Sequence, residues 1–294
     1  MCIGNQKQLS NGLCVRTVSF WCSAVVAKVA VVGLEQGAEQ AFNQALKLIG
    51  KIDDLNTPKR SVIVKVGIFD PKSDHHTSVE VVDAIIKSFS RAPKIYIAES
   101  DNYKGKGTVR LQKWKPLFSE RVIPFNLSED ADTQQAKIAG EEIELSHVLF
   151  KPNVLVSTHV LRTFDQGSVL KNLLGLIPDR KKARFHKKLG ATLMDVYEAI
   201  GGIDLAVLDG THVMLGVAPK ARRVPANILL VGRDAVAVEV VGATIVGLKP
   251  GKVPAIREAM DRGIGESNID KIETVGASLA SLKEKFHHLT AQKK

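Results

Sequence analysis

From residue 28 onward the chain alternates short runs of β-branched apolar residues with longer segments of helical period, and this constrains its fold more than any other feature. The apolar runs fall at residues 28–33, 61–69, 94–99, 154–160, 204–209 and 227–231. Strands separated by helices must return to the same sheet edge through right-handed crossovers. The expected architecture is therefore α/β: a mainly parallel twisted sheet flanked by helices, with two lobes and a cleft as one arrangement. Strands covered on both faces are rich in Val, Ile, Leu and Ala and poor in rings. The composition agrees, with 45% hydrophobic residues and only 5% aromatic ones.

Between the runs, Ala38, Ala41, Ala45, Leu46 and Ile49 fall on one helix face, and Gly50 follows as a C-terminal stop. Thr77-Ser-Val-Glu80 has the spacing of a capping box, opening a helix that buries Val81, Val82, Ile85, Ile86 and Phe89. Residues 236–246 and 253–260 predict further helices, and 141–150 an edge strand. The tail after Leu282 reads as a fraying helix end. The division expected is a single α/β domain over 28–294, with a lobe boundary near 150.

Residues 1–27 stand apart. They hold all three cysteines, Cys2, Cys14 and Cys22, and the rest of the chain has none. The spacing fits neither a zinc site nor an iron–sulfur cluster. Arg16 followed by an apolar stretch superficially resembles a signal peptide, but Lys28 already opens a core strand. The segment reads as an unstructured extension outside the fold or a start-site artefact, with translation beginning at Val25 or Val26. A body without cysteine suits a reducing cytoplasm. No apolar run reaches the roughly 18 residues of a membrane span, so no membrane partner is expected.

Charge points to anions. The 294 residues carry 41 Lys and Arg against 31 Asp and Glu, a formal charge of +10. Seven basic residues lie between Lys171 and Lys188 against the single acid Asp179. Such a run is usually a solvated face; here it can also form an electropositive funnel.

In an open parallel sheet, ligands bind beyond the carboxyl ends of the strands, so polar residues following apolar runs are the candidates. Asp70 to Thr77, with His75 and His76, leads into a helix start. Ser100 to Thr108 sets two glycines beside two lysines without the spacing of a P-loop. Thr158-His159 ends a strand and precedes Arg162 and the Lys171-Asn172 pair, polar groups amid apolar ones. The basic run contains His186. Asp209-Gly-Thr-His212 ends another strand, whereas Asp234 reads first as a helix N-cap. The roles assigned are His159 as acid–base, Asp209 as its partner or a metal ligand, and Lys171 as an anion binder in the catalytic set. Asn172, His186, Arg162, Thr158 and Asp234 complete the ligand-binding set. A divalent metal is a weaker variant drawing on His75, His76 and His212.

Taken in order, several of these segments resemble the domain of unknown function 362 family. They are Lys28-Val-Ala-Val-Val-Gly33, Thr77 to Asp83, Thr158-His159, Leu170-Lys-Asn-Leu-Leu-Gly175, Phe185-His186, residues 204–210, Gly232 to Glu239 and Ile245-Val-Gly247. The resemblance implies an α/β protein. Some relatives carry a ferredoxin-like domain with iron–sulfur clusters; this chain lacks the cysteines, so a redox role would require an external electron carrier. The family's Lys-Pro-Asn stands here as Lys65-Val66-Gly67, its Lys-Thr-His as Ser157-Thr158-His159, and the second acid of its Asp-x-x-Ala-x-Asp pattern is Glu239. These departures imply altered chemistry or an inactive binding version, with Lys151 and Arg162 available to replace lost positive charge.

The leading functional expectation is an enzyme, or enzyme-like binder, of a small anionic metabolite. The alternatives are a non-enzymatic nucleic-acid or protein interaction module using the basic surface, and an accessory factor in redox-cofactor or iron–sulfur metabolism.

Overall fold

A computed structural model describes residues 7–10, 13–16, 26–217 and 221–291. The strands are β1 (Lys7–Ser10), β2 (Leu13–Arg16), β3 (Ala27–Gly33), β4 (Ser61–Lys65), β5 (Ile95–Glu99), β6 (Val122–Asn126), β7 (Thr133–Ile138), β8 (Glu141–Ser146), β9 (Asn153–Arg162), β10 (Leu205–Leu215), β11 (Arg222–Gly232) and β12 (Ile272–Gly276). The helices are α1 (Ala38–Leu48), α2 (Val79–Ser88), α3 (Gly107–Leu111), α4 (Leu189–Ala199), α5 (Ala235–Ile245), α6 (Pro254–Arg262) and α7 (Leu279–Ala291).

Eight strands form one sheet in the order β12-β3-β11-β10-β9-β4-β5-β6. All its pairings are parallel except those of β11, which runs against both β10 and β3. The mainly parallel α/β sheet read from the periodicity is thus the fold. Alternate residues of each strand enter different layers. Val154 and Val156 of β9 and Leu205 and Val207 of β10 pack on the side of Phe42 and Ile85, from α1 and α2. Leu155 and Leu161, with Ala206 and Leu208, pack on the other side with Leu193, Val240, Ile256 and Phe286, from α4 to α7. No helix among the described residues is long and apolar enough to cross a membrane.

Several boundaries differ from those expected. The run at 61–69 stops being strand at Lys65; beyond it the chain leaves the sheet, and Ile68 bridges back to His76. Ser78, not Thr77, caps α2, its hydroxyl accepting the amide of Val81. Thr77 is withdrawn into the core, where its hydroxyl donates to the carbonyl of Thr158 at 3.2 Å. The segment near 141–150 is not an edge of the main sheet: β8 pairs only with β7, and this hairpin sets Ile138, Ile143 and Leu145 into the layer of α4. The tail does not fray at Leu282, because α7 anchors Leu282 and Phe286 in that layer. The N-terminal extension, read as unstructured, contains the two-stranded sheet of β1 and β2, separate from the main sheet. Cys2, Cys22, Val25 and the proposed start at that valine lie outside the described residues.

Candidate functional site

At the carboxyl end of β9, His159 occupies the α4–α7 side of the sheet, in register with Leu208 of β10. Its ring fits because position 67 is glycine: a β-carbon there would stand 2.4 Å from Cδ2 of His159. The missing side chain at Gly67 makes the space that the imidazole fills. Nδ1 lies 3.2 Å from the carbonyl of Val160. Enclosure of the ring, then the cations Arg162, Lys65 and Lys171, hold its pKa well below the usual histidine value. The ring is therefore neutral at pH 7, and with Nδ1–H donating to Val160, Nε2 keeps its lone pair.

Lys171 starts a 3-10 turn, Lys171–Leu176, and its Nζ lies 3.4 Å from Nε2 of His186. His186 belongs to a second such turn, Lys182–Lys188, and is exposed, whereas Lys171 and Arg162 are half-buried. The burial of Lys171, with Arg162 as the charged neighbour, lowers its pKa to about 7. Arg162 donates from Nε to the carbonyl of Gly167 at 2.7 Å and stacks over Phe164, with ring centroid 5.4 Å from Cζ. Burial brings it down to about 10, opposed by Glu239, so it stays charged at neutral pH. Glu239 comes from α5 and accepts the amides of Ser168 and Leu170 at 2.7 and 2.8 Å. That carboxylate pins the loop between Arg162 and Lys171, fixing both cations relative to β9.

Next to these groups lies a buried network centred on Lys65 and Glu99, neither of them a sequence-derived candidate, and joined by the candidate Asn172. Lys65, 1% exposed at the end of β4, donates from Nζ to Oε2 of Glu99 at 3.1 Å, Oδ1 of Asn172 at 2.9 Å and the carbonyl of Val66 at 2.8 Å. Asn172 returns its amide to the carbonyl of Lys65 at 2.8 Å, and to Ser157 Oγ and the carbonyl of Thr158. Both polar atoms of the Asn172 side chain are engaged, so it positions Lys65 and the end of β9 rather than a ligand. Arg110 approaches the same oxygen of Glu99 at 3.4 Å and donates to the carbonyls of Ile68 and Ser100. Lys182 reaches inward from the basic run to Ser100 Oγ at 2.8 Å and to the carbonyl of Asp101. Gly175 makes this packing feasible, since a β-carbon would stand 2.6 Å from Nζ of Lys65. The available signal was a charge closing each of two apolar runs, Lys65 after Ser-Val-Ile-Val and Glu99 after Ile-Tyr-Ile-Ala.

Asp209 is not the partner of His159. It pairs with Val160 in the β9–β10 register, one position beyond the pair His159–Leu208, and so projects from the opposite face. Nearly fully buried, it accepts the amide of Ser78 at 2.6 Å and the amide and hydroxyl of Thr211 at 2.9 and 2.6 Å. It thereby binds the start of α2 to a bulge in β10. A small polar recess beside it is lined by Asp74, His76, His212 and Arg223. The histidines proposed for metal, His75, His76 and His212, all feel the charge of Arg223, whose guanidinium lies 3.0 Å from Nδ1 of His212. A fixed cation in that position opposes a second one, and among the described residues no three His, Cys, Asp or Glu side chains gather to hold a metal.

Asp234 belongs to the opposite end of the strands. Because β11 is reversed, the residue after Gly232 emerges beside Ala206, near the start of β10. Its carboxylate accepts the amides of Val236, Ala237 and Glu266, as the N-cap of α5. Thr158 is buried on the α1–α2 side and contributes only its carbonyl, to Thr77 and Asn172. The basic run is less of a funnel than its charge implies: Lys182 turns inward, and Arg184 pairs with Glu141 at 2.5 Å and Asp179 at 3.0 Å. Lys151, the other replacement cation, pairs with Asp132.

Residues 62–244 match the model of the domain of unknown function DUF362. The chain belongs to this family. The match runs from β4 into α5 and so takes in the Lys65 network, His159, Arg162, Lys171, His186 and Glu239. The strands β3 and β12 of this DUF362 protein lie outside the matched segment. No curated protein matches the chain.

Proposed function

We propose that this DUF362 protein binds a small anionic metabolite at the group of His159, Arg162, Lys171 and His186, and acts on it as an enzyme or enzyme-like binder. The observation that carries this reading is the pairing of two half-buried cations, Arg162 and Lys171, for which the carboxylate acting among the described residues is Glu239, on Arg162. That carboxylate, Glu239, is held by two backbone amides. An anion bound there gains from Arg162 as a fixed cation, as at other sites where guanidinium groups meet carboxylate or phosphate. Neutral His159, with Nε2 unprotonated, supplies a base beside the bound molecule. A nucleic-acid surface draws less support, because the basic run directs Lys182 inward and pairs Arg184 with acids of its own chain.

The test is calorimetric titration of the full chain with oxalate and with inorganic phosphate, repeated on R162M and D234A. Saturable binding that is lost in R162M and kept in D234A is expected. Heats that are negligible, or unchanged by R162M, overturn the reading.

A further inference from the structure

We propose that the amine of Lys171 is a nucleophile that forms an imine with an aldehyde or ketone bearing a carboxylate or phosphate. This rests on the anion-binding reading above and names the substrate class for the same site.

The geometry supplies what such a step requires. Lys171 Nζ faces an imidazole nitrogen, Nε2 of His186, at 3.4 Å rather than a carboxylate. Among the described residues, the charged group acting on this amine is another cation, Arg162. A lysine with an acid partner stays an ammonium and cannot attack; a desolvated lysine beside a second cation sheds its proton near neutrality. The titratable and charged groups coupled to the amine are Arg162 and His159 from β9 and His186 from the turn Lys182–Lys188, while Glu239 from α5 acts on Arg162. Arg162 binds the substrate's anionic group and so sets its carbonyl carbon beside the amine. Lys171 lies in a short 3-10 turn whose next residue, Asn172, is fixed by its bonds to Lys65, Ser157 and Thr158. The nucleophile therefore stands on a rigid base, while its four-carbon stem supplies reach.

The chemistry balances without a redox partner. The nitrogen lone pair of Lys171 forms a C–N bond as the carbonyl π pair moves to oxygen. The proton leaving nitrogen is taken by His186 Nε2 and returned to the oxygen. Loss of that oxygen as water then gives the imine: one amine and one carbonyl yield one imine and one water.

The experiment incubates the full chain with glyoxylate or pyruvate and adds sodium borohydride, whose hydride reduces any imine to a stable secondary amine. Intact mass and peptide mapping then locate the adduct. One adduct per chain is expected, on the peptide containing Lys171, suppressed by excess oxalate and slowed by H186A. It should be absent in K171M, whose folding is checked by its circular dichroism and melting temperature. Adducts distributed over exposed lysines such as Lys181, Lys187 and Lys188, or labelling that persists in K171M, overturn the proposal. If oxalate binds in an Arg162-dependent way but no adduct forms, the imine falls and the anion site stands. If neither is seen, both fall.

Discussion

The imidazole of His159 lies against the bare α-carbon of Gly67, so closely that the two positions cannot both carry side chains without movement. G67A should therefore displace the ring rather than merely crowd it. Overpacking of this kind costs about 1–3 kcal/mol. Urea unfolding should show that loss, and oxalate affinity should weaken in parallel. A G67A protein as stable as the parent, with unchanged affinity, would mean that His159 has room that the structure denies it.

Glu99 faces Lys65 at 3.1 Å and Arg110 at 3.4 Å, in the buried interior. Removing one side of a buried pair leaves an uncompensated charge, typically about 3–5 kcal/mol. E99L, which leaves Lys65 and Arg110 without their acid, should lose that much stability in chemical denaturation, and K65M, which leaves Glu99 facing Arg110, should lose less. The double variant should lose less than the sum of the two, because only Arg110 is then left without its acid. Simple additivity would show that the two groups do not depend on each other.

The lowered pKa of Lys171 gives a pH dependence with a definite sign. Below about 7 the amine is an ammonium and adds to Arg162 in attracting an anion; above it that charge is lost. Oxalate affinity should fall as pH rises through about 7, and K171M should lack the step. Folding stability moves the other way. Because the folded pKa is depressed, the unfolded chain binds the extra proton, so the penalty is full below about 7 and is relieved as pH climbs toward the ordinary lysine value. The same step in wild type and K171M would assign it to another group.

Asp234 accepts three backbone amides at the end of the strands opposite to His159. D234A should cost about 0.5–2 kcal/mol, the range for losing an N-cap, and leave oxalate binding intact. A binding defect at unchanged melting temperature would instead place Asp234 in the ligand site.

The sheet and its helices were legible because each buried strand is a β-branched run and each helix keeps one apolar face. Lys171, Arg162 and His159 were legible too, as polar residues near one strand end. The error over Asp209 has a simple cause. Strand ends can be counted along a sequence, but which face a side chain takes depends on pairing register, and here one position separates His159 from the opposite face. Asp234 misled for a related reason: nothing local in residues 222–232 marks β11 as the reversed strand. Lys65 and Glu99 were passed over because an isolated charge at the end of an apolar run does not reveal its partner. Theirs lie on β5, α3 and a turn more than a hundred residues downstream.

The position of β3 bears on how the chain reaches this state. That strand is made before β4 to β10, yet it is flanked by β11 and β12, both made after them. During translation, Val29 to Val32, which finish almost wholly hidden, have neither neighbour to pair with. The sheet from β4 to β10 can assemble first, whereas β3, the first strand of the main sheet along the chain, must wait and is among the last to be seated. A ribosome-bound chain stopped before residue 222 should thus hold a sticky apolar strand, a natural target for a chaperone until β11 and β12 emerge.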